Sequence, residues 1–170
     1  CLTAANSNVE FMGKPHVMKS NIIIGCKAWH LANNQLNGYK KQFEEIERSI
    51  PNDGIVIITI GEIDCRLDEG ILKFHQKMQN NLGDSIEDLV QNYIKYLIEK
   101  LAGSSRTIIV SGVPSISRSR KQKLTKDNVM ILSTVLNNFN KTLKITVINN
   151  GLRFLDISSL TQENPEASFI

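Results

Sequence analysis

Three charged side chains crowd the hexapeptide Gly61-Glu62-Ile63-Asp64-Cys65-Arg66, directly after a wholly apolar run. Glu62, Asp64 and Arg66 alternate along it. A carboxylate and a guanidinium so placed can form a bidentate, charge-assisted pair where solvent is scarce. Such a pair either grips a polar substrate or pins its own loop, and spacing alone leaves both open. A second segment, Gly25-Cys26-Lys27-Ala28-Trp29-His30, also follows an apolar run and brings an imidazole and an indole to a comparable place. His30 there either lines a pocket or packs within its loop.

Other reactive side chains carry weaker signals. Ser111 stands in Ser111-Gly112-Val113-Pro114, where a structural turn is the simpler reading than a nucleophile. His75 lies among Lys73, Gln76 and Lys77, which suits a solvated helix face, and His16 has no catalytic neighbour. Cys1, Cys26 and Cys65 are three in number with no C-x-x-C spacing. They read as small buried hydrophobes rather than as thiolates holding a metal with His30. Arg118, Arg120, Lys121, Lys123 and Lys126 gather positive charge that an anionic glycan or phosphate could use, but a solvated loop is the simpler reading.

These residues need a frame. Residues 21–25 (N-I-I-I-G) and 55–61 (I-V-I-I-T-I-G) are continuously β-branched and closed by glycine, as in strands of a parallel sheet covered on both faces. Residues 107–110 and 153–157 supply two more strands. Between them, Asp84 and Glu87 form a D-x-x-E capping pattern. Ile86, Leu89, Val90, Tyr93, Ile94, Leu97, Ile98 and Leu101 then recur at helical spacing until Gly103. Further helices are expected over residues 39–49, over 69–79 and from Thr125 to about Asn149, the last with Val129, Leu132, Leu136, Phe139 and Leu143 on one face. Alternating strands and helices make an α/β sandwich. Right-handed crossovers then bring the loops after Gly25, Gly61, Val110 and Asp156 to one carboxyl edge, where such folds bind ligands.

The chain of 170 residues, 41% apolar and 22% charged, suits a single domain over 1–170. A net charge of +3 is too small and too dispersed for nucleic acid, and no apolar run approaches the roughly 20 residues of a membrane span. The unpaired cysteines favour a reducing compartment, hence the cytoplasm over secretion. No G-x-G-x-x-G or G-x-x-x-x-G-K-[ST] pattern supports a flavodoxin-like nucleotide or phosphate binder.

The order strand-Gly, strand-G-E-I-D-C-R, strand-S-G-V-P, a helix with Leu136-Asn137 and Leu143, then R-F-L-D-I resembles the SGNH (GDSL-like) hydrolase superfamily. It resembles in particular the branch with G-E-I-D-C-R in place of the G-x-N-D block. The resemblance implies a flavodoxin-like three-layer α/β/α sandwich, a serine nucleophile after the first strand, and a terminal D-x-x-H. It implies an ester hydrolase that removes an acyl group, such as acetyl, from a small-molecule or glycan ester, with no cofactor and no metal. Gly25 corresponds by position to the second-block glycine, whose backbone N–H serves the oxyanion hole together with the third-block asparagine side chain, and Gly61 to the third-block glycine. Asp64 closes the block, Glu62 takes its variable place, Asp64 and Arg66 shape the pocket floor, and His30 lies in the second-block loop. Two departures stand out. Ile63 occupies the place of the oxyanion asparagine, and neither a G-D-S strand nor a D-x-x-H occurs in residues 1–170. The expectation is therefore that the serine precedes Cys1 and the Asp/His loop follows Ile170. The rival expectation is an inactive glycan-binding or assembly module on the same fold.

Overall fold

The computed structural model describes residues 8–11, 14–17, 19–78, 81–101, 103 and 105–161. Cys1 and the side chain of His16 lie outside what is described. The elements are β1 (Asn8–Phe11), β2 (Lys14–Val17), α1 (Ala28–Ala32), α2 (Gly38–Arg48) and β3 (Ile55–Ile58). They continue with α3 (Ile71–Met78), α4 (Leu82–Leu101), β4 (Thr107–Ser111), α5 (Arg118–Lys121), α6 (Lys126–Asn149), β5 (Arg153–Leu155) and α7 (Ile157–Thr161). A single 3-10 turn, Ile63–Cys65, sits between β3 and α3.

β3, β4 and β5 form one parallel sheet in that order, with Ile55 opposite Thr107 and Ile109 opposite Arg153. The crossovers are the long helices that the apolar periodicity foretells. α4 buries Ile86, Leu89, Val90, Tyr93, Ile94 and Leu97; α6 buries Leu132, Val135, Leu136, Phe139, Leu143 and Val147. The two helices pack along each other, and α4 also packs on α1. Val56, Ile58, Ile108 and Val110 join the same core. The other face of the sheet is less covered, with Ile55 70% exposed and Leu155 38% exposed. The protein is thus mixed α/β with a small parallel sheet, and β1 and β2 form a separate antiparallel pair. Among the described residues no helix is long and apolar enough to cross a membrane.

The helix ends follow local chemistry. The Asn37 side chain accepts the Lys40 N–H at 3.0 Å to start α2, and Thr125 accepts the Asn128 N–H at 3.2 Å to start α6. α4 begins two residues before the expected cap at Asp84, because Asn81 Oδ1 accepts the Gly83 N–H at 2.8 Å.

Residues 21–25 depart from expectation. They form no strand; Ile24 and Gly25 lie in a turn closed by the Cys26 N–H on the Ile23 carbonyl at 3.3 Å. Ile22 and Ile24 are exposed while Ile23 is buried, so the run has one apolar face in use and no ladder partner among the described residues.

Arg106 ties the entry to the sheet. Its guanidinium, with the side chain only 5% exposed, pairs with the Glu47 carboxylate and donates to the carbonyls of Glu47, Ile50 and Pro51. Arg106→Ala strands a carboxylate and several acceptors at once, so chemical denaturation should show a loss of about 2–4 kcal/mol. A loss under about 1 kcal/mol, the range of an exposed pair, would contradict this reading.

Candidate functional site

In a parallel sheet the loops leaving β3, β4 and β5 share one edge, and here those loops are bonded to one another. Glu62, after β3, accepts from Arg120, after β4, at 3.1 Å. Ser115, also after β4, donates its hydroxyl to the Ser158 carbonyl at 2.9 Å and its N–H to Thr161 at 2.9 Å, reaching α7 beyond β5. Asn140 of α6 bonds both polar groups of the Val113 backbone, accepting at 2.7 Å and donating at 2.8 Å. Asp156 starts α7 by accepting the Ser158 hydroxyl at 2.6 Å and the Ser159 N–H at 3.2 Å; these bonds, the Ser158 hydroxyl first, hold its pKa below the ordinary value.

The decisive contact joins the two segments singled out from the sequence. Asp64 is fully buried, and its carboxylate accepts the Ala28 N–H at 2.7 Å and the Trp29 N–H at 3.1 Å. A residue 36 positions away thus caps α1, a five-residue helix whose own N-cap residue, Lys27, supplies no side-chain cap bond. Burial raises the Asp64 pKa against the opposing pull of these two bonds and of Lys27.

Of the two carboxylates beside Arg66, Glu62 and not Asp64 takes the guanidinium. The 3-10 turn carries Asp64 inward and leaves Glu62 and Arg66, four apart, on its outer side. Arg66 therefore forks onto Glu62, Nε at 3.1 Å and Nη2 at 2.8 Å from Oε2. Burial pushes the Glu62 carboxyl up, but Arg66 and Arg120 outweigh it and leave the pKa below the ordinary value. Glu69 extends the chain of charges, 2.9 Å from Lys27 and 3.7 Å from Arg66. These groups are half exposed, so they steer and orient more than they stabilise.

Two glycines make the turn possible. Gly61 has φ +131°, and a Cβ there would fall 2.8 Å from the Phe139 ring and 3.1 Å from Val113. Gly70 has φ +72° and lies so close to the Asp64 backbone that any Cβ would overlap its carbonyl. Gly25, also at positive φ, is exposed in the neighbouring turn beside the Tyr39 hydroxyl.

Beside this rim opens a cleft of about 840 Å³ between α1, α3 and α4. Its wall includes Asp64, Lys27 and Glu69, the amides of Asn33, Asn34 and Asn92, and the rings of Trp29, His30 and Phe74. Trp29 is 50% and Phe74 46% exposed, so two aromatic rings of the cleft wall are open to solvent. His30 stacks on Tyr39 with centroids 3.9 Å apart, and its Nδ1 accepts the Lys27 N–H at 3.0 Å. Burial, then the charge of Lys27, lowers its pKa.

The remaining candidates fall outside the site. Ser111 is buried and its hydroxyl donates to the Gly112 carbonyl at 3.0 Å. Cys26 and Cys65 are buried free thiols; burial pushes Cys26 up to about 11 and holds Cys65 well above the ordinary thiol value, so both stay protonated at neutral pH. His75 is half-buried with Nδ1 unpartnered, not fully solvated, because α3 packs on α4. Arg118, Lys121 and Lys123 are exposed on and beside α5, while Arg120 belongs to the rim. Among the described residues no three His, Cys, Asp or Glu side chains are grouped as a metal site, and no hydrogen bond joins a serine or cysteine to a histidine.

Sequence reasoning missed Asn140, Glu69 and the exposed Phe74. Only Asn140 left a signal, as an amide four residues after Leu136 on the apolar stripe of α6. No family model, curated protein or solved structure matches this chain.

Proposed function

We propose that this protein is an ester hydrolase of the SGNH kind that removes an acyl group, such as acetyl, from a carbohydrate-type substrate. The observation that carries the reading is the Asp64 carboxylate on the Ala28 and Trp29 amides, which joins the loop after Gly25 to the loop after Gly61 beside a large cleft. A hydrolase of this type needs its backbone donors and its acyl pocket in one rigid rim, because donors held in place need no reorganisation as charge develops on the carbonyl oxygen. Exposed Trp29 and Phe74 suit the apolar faces of sugar rings, and Asn33, Asn34, Asn92 and Asp88 suit their hydroxyls.

In this mechanism a serine attacks the ester carbonyl while a histidine takes its proton and then returns it to the leaving alcohol. The Gly25 backbone serves the oxyanion. Asp64, Arg66 and Glu62 hold the floor and rim. The reading includes a three-layer α/β/α, flavodoxin-like fold, and the half-exposed face of Ile55 and Leu155 suits a further covering layer. The acyl transfer itself uses no cofactor.

Ile63 favours one rival, a glycan-binding or assembly module without turnover, since it offers no side-chain donor where the pattern calls for asparagine. A serine-directed fluorophosphonate on the native protein, followed by peptide mapping, separates the two. Labelling of a single serine with matching loss of p-nitrophenyl acetate hydrolysis supports the hydrolase. No labelling, with binding of an oligosaccharide retained, supports the module.

A further inference from the structure

The Lys27 backbone N–H can only donate, so His30 Nδ1, 3.0 Å away, must present a lone pair. A neutral imidazole so engaged keeps its one proton on Nε2. The ring cannot turn freely, being stacked face to face on Tyr39 at 3.9 Å and met edge-on by Trp29 at 5.5 Å. Nδ1 is thus fixed toward the start of α1, and Nε2, on the far side of the ring, has no protein partner among the described residues and is not a buried atom. His30 lines the cleft together with Trp29 and Phe74.

From this geometry we infer that His30 Nε2–H is a hydrogen-bond donor to the acyl carbonyl oxygen of a sugar ligand in the cleft, and so a ligand-binding residue that the sequence pattern does not assign. The inference rests on the cleft being the substrate site proposed above. It answers the departure at Ile63: the loop pair that lacks an asparagine donor holds an imidazole with its donor nitrogen oriented by the main chain. Histidine suits this task better than a flexible amide, because its tautomer and ring plane are both set before the ligand arrives.

The test is ¹⁵N-edited NMR of the imidazole nitrogens in the native protein, free and titrated with N-acetylglucosamine, a sugar whose acetyl carbonyl sits in an amide that ester hydrolysis leaves intact. The expected result is a single Nε2–H tautomer in the free protein and a selective shift of the His30 Nε2 signal on titration. Affinity for the sugar should fall on the order of tenfold or more in His30→Phe, which keeps the stack, and less in His30→Gln, which keeps a donor. An Nδ1–H tautomer, an unmoved Nε2 signal at saturating sugar, or unchanged affinity in His30→Phe would each overturn the inference. Because the tautomer and the titration use no ester, absence of p-nitrophenyl acetate hydrolysis counts against the proposed activity and leaves the His30 contact standing or falling on its own signals.

Discussion

Asp64→Ala is expected to lower unfolding free energy by about 3–5 kcal/mol in urea titration. The carboxylate is fully buried and serves two amide donors, Ala28 and Trp29. Alanine leaves both donors without an acceptor and a void where the carboxyl stood, and Lys27, the N-cap residue of α1, offers no side-chain cap bond in its place. Arg120→Ala should cost less than about 1 kcal/mol, because the Arg120–Glu62 pair is some 40% exposed on each side and open to screening. The contrast between the two substitutions distinguishes a buried clamp from a solvated rim. Equal effects would contradict that division.

The two acids of the turn also move stability in opposite directions with pH. Burial raises the Asp64 pKa, so the folded state holds that proton more tightly than the unfolded chain does. Its contribution is therefore most favourable below the ordinary value of 3.8 and declines as pH rises from there through the raised folded pKa. Glu62 has a lowered pKa, so its contribution is present above the ordinary carboxyl value and is lost as pH falls through the folded one.

Gly61→Ala should cost about 4 kcal/mol, the sum of a backbone angle few other residues adopt and the overlap of a new methyl with the Phe139 ring and Val113. Gly70→Ala should be at least as damaging, since its methyl meets the main chain at Asp64, which cannot swing aside as a side chain can. Gly38→Ala supplies the internal comparison. It opens α2 with nothing within 4 Å of a new Cβ, and alanine there should leave stability unchanged or raise it by up to about 1 kcal/mol. Melting curves on the three variants check the ranking. A mild Gly61→Ala would mean that the turn relaxes more easily than its packing against α6 implies.

The frame was more legible than the contacts that make the site. α4 and α6 announce themselves because each repeats one apolar face over five turns or more, and β3 and β4 because short β-branched runs end at glycine or serine. Residues 21–25 carry the same local signature yet form a turn, because a strand also needs a neighbour to pair with, and pairing is not a local property. α1 was invisible for the converse reason: its five residues are too short for periodicity, and what holds its first turn is Asp64, far along the chain. The cluster of charge at Glu62, Asp64 and Arg66 was readable, but which carboxylate meets the guanidinium depends on a 3-10 turn that sends the middle one inward. Trp29 and Phe74 could not be distinguished from core residues by type, and only their exposure beside the cleft marks them.

The central claim is that one buried carboxylate holds the Gly25 and Gly61 loops as a single rim. Amide hydrogen exchange at Ala28 and Trp29 tests it most directly, with the core strand amide of Val110 as reference, in the wild type and in Asp64→Asn. Slow exchange at both amides in the wild type, and acceleration in the variant on the order of 100-fold beyond any change at Val110, is the predicted result. Fast exchange at Ala28 in the wild type, or acceleration no greater than at Val110, would contradict it.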